Sequence, residues 1–448
     1  MAHSLKMKND GYQKNENKLF VALMCLFVAL FFVRNVLEIA FPVVLYLGIV
    51  AVIAAISTKE QLMALALSFI PLSAGFQFKY AILICVAVFI VKFGATIKRP
   101  AYIFPIVLMF SWELLHIISG DLMLMETLRG FSELIFLGLI LMSDDFDFSN
   151  GVLMRILAYT TVASAIIVFW VSLREVDYNL TAFLESGARF GQFETDSENF
   201  KFTFNPNSLG LMSNMGIMGI LMLITNKKAN KLDYLTLILS VIIGIMTLSR
   251  SFLVCLVMIA ICYVLFRNVS LNKKILSILA IVAICLIVLV IMNAVFPDII
   301  ENYVNRFKEE DITNGRDDLF GFYNKHIFSG AEYLLFGVGL QNYGEKVNRI
   351  HGASHNVCHN AYQELVVVWG VVGLALFIYL IILLIKKAKE MNSSITAFSF
   401  VPLGIFLFKL MSGQFISSGV EILYFALIFV YMCYPQKEQI RRQAIGKE

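Results

Sequence analysis

Apolar runs of roughly 18 residues or more recur along the chain and are split by short charged links. A run of that length suits a helix crossing a hydrocarbon layer ~30 Å thick. Within the runs, apolar and polar residues do not alternate as they would along the strands of a membrane barrel. Of the 448 residues, 59% are apolar and only 15% are charged, too little polar surface to cover soluble domains of this length. The sequence therefore predicts an all-α integral membrane protein of about 12–14 transmembrane helices with two long extracytoplasmic loops.

Spans are expected near 19–37, 39–56, 61–77, 80–97, 101–119, 122–142, 151–173, 207–225, 234–249, 252–266, 275–296, 360–385, 396–411 and 419–434. Lysine and arginine set the orientation. The N-terminal lysines, Lys59, Lys98–Arg99, Lys227–Lys228–Lys231, Arg267 with Lys273–Lys274, Lys386–Lys387–Lys389 and Arg441–Arg442 all fall on one side, which is taken as cytoplasmic. One link on that side disagrees, since Ser143 to Asn150 carries Asp144, Asp145 and Asp147 without a base. The resulting division is a tail at 1–18, a first bundle at 19–173, a loop at 174–206 and central helices at 207–296. A large loop at 297–358, final helices at 359–434 and a second tail at 435–448 complete it. Long loops on a compact membrane protein are commonly functional.

The seven cysteines include no CxxC pair, and Cys358 alone lies in a polar segment, so neither a disulfide framework nor a zinc ribbon is indicated. A glycine-rich phosphate loop and paired aspartates at metal spacing are also absent from the sequence. The end of the second long loop is the most informative stretch. It contains Asn314-Gly315-Arg316, then Leu335-Phe336-Gly337-Val338-Gly339, then His359-Asn360-Ala361-Tyr362-Gln363-Glu364-Leu365, then Trp369-Gly370-Val371-Val372-Gly373-Leu374. A guanidinium, a glycine turn and an imidazole thus gather just above one span. Gly337 and Gly339 suit unusual backbone angles or close approach, and His359 can exchange protons near neutral pH.

These motifs resemble those of the O-antigen polymerase/ligase family. Its hallmarks are a Gly-Arg, a Phe-Gly-x-Gly and a His-Asn-x-Tyr followed by Gly-x-x-Gly at the head of a late span, and all occur here in that order. Upstream, Phe204-Asn205-Pro206-Asn207, Arg189 with Gly191, and Ser249-Arg250 resemble further family features, so the likeness covers roughly residues 185–375. The resemblance implies a glycosyltransferase of the bacterial cytoplasmic membrane, with its active site facing the periplasm or cell exterior. It would join undecaprenyl-pyrophosphate-linked oligosaccharide units into O-antigen, capsule or exopolysaccharide. A ligase moving finished glycan to a lipid A core or protein is the alternative within the family, and a lipid-linked glycan flippase or other transporter the alternative outside it. The implied partners are the lipid-linked oligosaccharide, the bilayer, and a chain-length regulator and flippase of the same pathway. No cofactor, metal or nucleic acid is implied.

The chemistry needs charge stabilisation on a departing pyrophosphate and a base for the attacking hydroxyl. Arginine forks match phosphate oxygens in pairs. The expected catalytic set is His359 as base with Arg316 and Arg250. Arg189, Arg129, Asn360, Tyr362, Gly337 and Gly339 are expected to bind substrate.

Other residues have competing explanations. His351, His355 and His359 would share one face of a continuous helix and could hold a metal. Arg316 could instead cap a helix or pair with Asp317 or Asp318. Glu113 with His116, and Glu126 with Arg129 and Glu133, read as pairing between helices. Lys409 reads as a lysine reaching toward the membrane surface, and Asn205-Pro206-Asn207 as a helix start.

Overall fold

The computed structural model describes residues 2–435 except 74–77, 119–123, 150, 175, 181–189, 191–204, 267–269, 277, 280–289, 291–293, 295–300, 302–303, 305–315, 356, 394, 414 and 416–419; the side chains of 2–17 and 117–130 are also outside the description. The chain is an all-α, multi-pass integral membrane protein, with no strand among the described residues. Among the described residues the first ten α-helices are α1 (Ala2–Val36), α2 (Val43–Ile56), α3 (Lys59–Leu72), α4 (Phe78–Phe93), α5 (Phe104–Ile118), α6 (Leu124–Met142), α7 (Gly151–Arg174), α8 (Pro206–Thr225), α9 (Lys231–Met246) and α10 (Arg250–Phe266). Then follow α11 (Arg316–Ile327), α12 (Ala331–Phe336), α13 (Tyr343–His351), α14 (Ala361–Met391), α15 (Val401–Leu410) and α16 (Val420–Cys433). Among the described residues, segments in α1, α4, α7, α8 and α14 are long and apolar enough to cross a membrane, and several shorter apolar helices accompany them. The span expected at 275–296 lies largely outside the described residues.

Local chemistry explains where several helices begin. Thr58 and Gln61 cap α3 reciprocally, and Asn230 and Asp233 do the same for α9, each pair satisfying backbone N–H groups that the first turn leaves open. Asn205 caps α8 with Pro206 in the first turn. Within the bilayer region, α7, α8 and α16 meet through small residues. A Cβ on Gly219 would stand 2.4 Å from Met154 O and 2.7 Å from the Tyr431 hydroxyl, so only glycine permits this approach. The Tyr431 hydroxyl donates to Met215 O at 2.8 Å.

The links expected on the basic side come together in space, and they resolve the disagreement over 143–150. Lys387 Nζ donates to Asp144 Oδ1 at 2.6 Å and Lys59 Nζ to Asp144 O at 2.6 Å, while Arg99 pairs with both Asp144 and Glu390. The lysine hydrogen bond and neighbouring cations hold the Asp144 carboxyl below the usual carboxylate range. Arg155 forks onto Asp233 at 2.8 and 2.9 Å, and Tyr159 donates to the same carboxylate at 2.7 Å. The acidic link is thus the counter-charge of Lys387 on α14 and of Lys98 and Arg99, with Lys59 of α3 held alongside.

Candidate functional site

His359 immediately precedes α14, whose start is fixed by two side chains. Asn360 Oδ1 accepts from the Tyr362 and Gln363 backbone N–H groups at 3.0 and 3.1 Å. This capping bond occupies the Asn360 oxygen that the sequence offered to substrate. Gln363 then reaches sideways, donating from Nε2 to Phe320 O at 2.8 Å and Asn324 Oδ1 at 3.0 Å. The first turn of α14 is therefore tied to α11, the helix that begins with Arg316. Cys358 is buried, and its thiol donates to Gln363 Oε1 at 2.9 Å. Burial pushes that thiol up to about 12, so it stays protonated and serves as packing rather than as a nucleophile.

The consequence is a line of basic groups drawn from separate parts of the chain. Burial holds the His359 imidazole below the usual histidine range, and the Arg316 charge lowers it further. Burial likewise lowers Arg316, with Arg250 adding to the effect. Arg316 thus lies within electrostatic reach of both His359 and Arg250, although 109 positions separate those two in the chain (359 − 250). Below Arg250, the Ser249 hydroxyl donates to Asn207 Oδ1 at 2.9 Å and contacts Ser251 Oγ at 3.0 Å, which joins the start of α8 to the start of α10. Tyr362 donates its hydroxyl to Leu407 O at 2.9 Å, joining the start of α14 to α15. The Asn205-Pro206-Asn207 stretch is therefore more than a helix start, because Asn207 also braces the Ser249-Arg250 turn.

Two of the sequence motifs form a single contact. Helix α14 breaks at Gly370, whose φ of 68° and ψ of −169° suit glycine alone. The break leaves carbonyls without their usual partners one turn before it. Val338 N–H donates to Val367 O at 2.9 Å and Gly339 N–H to Val368 O at 2.8 Å, so the Phe-Gly-x-Gly segment fills the gap. A Cβ on Gly337 would stand 2.4 Å from Val368 O, and one on Gly370 would stand 2.1 Å from Leu335 O. The two glycine motifs are thus explained by backbone lying directly on backbone, and this contact accounts for Gly337 and Gly339 without a ligand.

Residues 235–378 match the model of the O-antigen ligase family. That match supports an assignment to the O-antigen polymerase/ligase family. Members are glycosyltransferase-like ligases and polymerases, and the match supports a function of that general type. A search of curated proteins finds no match to the chain.

Outside the matched region lies a residue whose role the sequence did not disclose. Glu113, in α5, is 1% exposed and receives the Leu340 N–H at 2.9 and 3.1 Å and the Trp369 Nε1–H at 2.7 Å. His116 Nε2 meets Phe336 O at 3.0 Å, and Trp112 Nε1 donates to the same carbonyl at 3.3 Å. The expected pairing between helices is seen for Glu113, which holds Trp369 of α14 beside the break, and both Glu113 and His116 also grip the glycine segment. The available signal was an acid inside an apolar run, which marks a residue with a fixed partner.

The three histidines do not share one helical face, because α13 ends at His351 and both His355 and His359 lie beyond it. His351 Nε2 instead meets His326 Nδ1 at 3.1 Å, and His355 stacks on Phe322 with centroids 4.3 Å apart. Among the described residues no group of three potential metal ligands is assembled. Arg189 and the side chain of Arg129, both expected to bind substrate, lie outside the described residues, as does the side chain of Glu126.

Proposed function

We propose that the protein is a polysaccharide polymerase that transfers glycan from an undecaprenyl-pyrophosphate donor to a hydroxyl of another lipid-linked unit. The supporting observation is the convergence of His359, Arg316 and Arg250 beside the starts of α10, α11 and α14. In this mechanism the acceptor oxygen attacks the anomeric carbon as His359 takes its proton. The bond from that carbon to the pyrophosphate oxygen breaks, and the electron pair leaves on the lipid pyrophosphate. Arg316 and Arg250 face that growing negative charge. Neither remains strongly hydrated when half-buried, so the attraction is greater than it would be in water. The depressed basicity of His359 keeps it neutral, hence able to accept a proton, at and somewhat below neutral pH.

The active face would be the one opposite the lysine- and arginine-rich links, on the outside of a bacterial cytoplasmic membrane. The matching family is described as a ligase, and a ligase would use the same donor groups with a different acceptor. Purified protein in lipid, given a defined lipid-linked repeat unit, separates these cases. A ladder of products supports the polymerase, a single transfer to an added acceptor supports the ligase, and no transfer returns the transporter. His359→Ala should lower transfer by about 10²–10⁴. Full transfer by that variant at normal protein levels would remove His359 as the base.

A further inference from the structure

Lys409 is expected from sequence to reach for the membrane surface, yet its side chain turns inward. It lies in the last turn of α15, is 8% exposed, and donates from Nζ to Ser251 Oγ at 3.1 Å. Ser251 follows Arg250 directly, and its hydroxyl also contacts Ser249, the residue that holds Asn207. Two residues earlier on α15, Leu407 O receives the Tyr362 hydroxyl from the helix that His359 precedes. Lys409 is thus braced from α10 and, through Leu407, from α14, while the start of α8 joins the same network.

One contact and the element positions relate the cations. Lys409 touches the Ser251 turn beside Arg250, and charge effects link Arg250 with Arg316 and Arg316 with His359. Lys409 lies within the apolar helix α15, Arg250 and Arg316 at the starts of α10 and α11, and His359 in the loop before α14. A lipid diphosphate carrying a sugar has the same polarity: chain, two phosphates, then the reacting carbon. We infer that Lys409 is a donor-binding residue that, with Arg250, holds the lipid-proximal phosphate of a polyprenyl diphosphate, leaving Arg316 and His359 for the sugar end.

This assignment rests on the function proposed above. An ammonium at the end of a four-carbon stem makes a compact point charge for phosphate, whereas the arginines supply the paired forks. The competing account is that Lys409 only balances acids, because Glu421 lies within its electrostatic reach and Glu364 lies close by. Glu364 already accepts the Phe415 N–H at 2.6 Å, so its carboxylate has a second structural partner.

The test measures binding of undecaprenyl pyrophosphate to the full-length protein in lipid nanodiscs, with undecaprenyl monophosphate and inorganic pyrophosphate as separate probes. Wild type should bind the lipid diphosphate most tightly. Lys409→Met should weaken that binding tenfold or more and raise the donor KM with a smaller change in kcat, and Lys409→Arg should restore most of it. Glu421→Gln combined with Lys409→Met separates the two accounts. If Lys409 only balances Glu421, the double variant recovers wild-type binding and the inference is overturned. A double variant that is folded yet still deficient supports donor binding. If wild type prefers inorganic pyrophosphate to the lipid, the inference is also overturned, because the phosphate site is then not lipid-proximal. No binding of any probe by wild type overturns this inference together with the proposed function, whereas wild-type binding by Lys409→Met overturns the assignment of Lys409 alone.

Discussion

Replacing Glu113 with alanine should loosen the joint that holds the glycine segment against α14. The carboxylate is buried and receives two donors, the Leu340 N–H at 2.9 and 3.1 Å and the Trp369 indole at 2.7 Å. Removing it leaves both donors in a site that water reaches poorly. Each orphaned donor costs about 1–3 kcal/mol, so Glu113→Ala should destabilise by about 2–6 kcal/mol. Glu113→Gln keeps the shape and one accepting oxygen and should cost less. The sharper measurement is a double-mutant cycle with Trp369→Phe, which deletes the indole donor while keeping an aromatic ring against Phe131. Unfolding would be followed by helix ellipticity during a detergent titration of protein in mixed micelles. In a Glu113→Ala background, Trp369→Phe should cost about 1–3 kcal/mol less than in wild type. Costs that add within about 0.5 kcal/mol would refute the shared-carboxylate argument. Transfer activity should fall along with stability, because His359 stands at the start of the helix that this joint braces.

Gly370→Ala places a side chain 2.1 Å from Leu335 O at a φ of 68°, and should cost at least about 1–3 kcal/mol through backbone strain alone. Gly404→Ala on α15 meets nothing within 4 Å and is the matched control, expected to leave the folded fraction on gel filtration unchanged. The pH profile of kcat/KM should have an acidic limb below the usual histidine value of about 6.5, since burial and then Arg316 both favour neutral His359. Arg316→Gln should move that limb upward and lower the rate by about 10²–10³; a limb that stays in place would separate His359 from the titration. His326 is fully buried against His351, and burial first, then the neighbouring ring, lower it to about 4. Its folded value lies below its unfolded value, so its contribution is complete above pH ~6.5 and is lost as pH falls toward 4, by about 3 kcal/mol in all. Proteolysis of the α11–α13 region should accelerate through that window, and His326→Phe should flatten the dependence.

The residues that the sequence marked as chemical were legible because each broke a local pattern. Arg250 interrupts an apolar stretch, and an ion at such a position needs a purpose. Asn205 announced a helix start through its side-chain oxygen, since capping depends only on nearby backbone, whereas the same role of Asn360 was passed over in favour of substrate. Gly337 and Gly370 were visible as glycines, but their meaning was not. Each needs the other's backbone, 33 positions away (370 − 337), before its missing Cβ has a reason. Lys409 was misread for a related cause. It was assigned the ordinary behaviour of a lysine near the end of a span, because the hydroxyl that receives it lies on another helix.

The apolar runs by themselves determined that this chain is a bundle of membrane helices, because every backbone N–H and C=O in hydrocarbon must be satisfied within its own segment. That requirement is local and can be read residue by residue. Which helix ends meet was decided only in three dimensions, by packing and by buried hydrogen bonds such as Gln363 to Phe320, Ser249 to Asn207 and Lys387 to Asp144. Contacts of that kind join positions far apart in the chain, so no run of neighbouring residues encodes them.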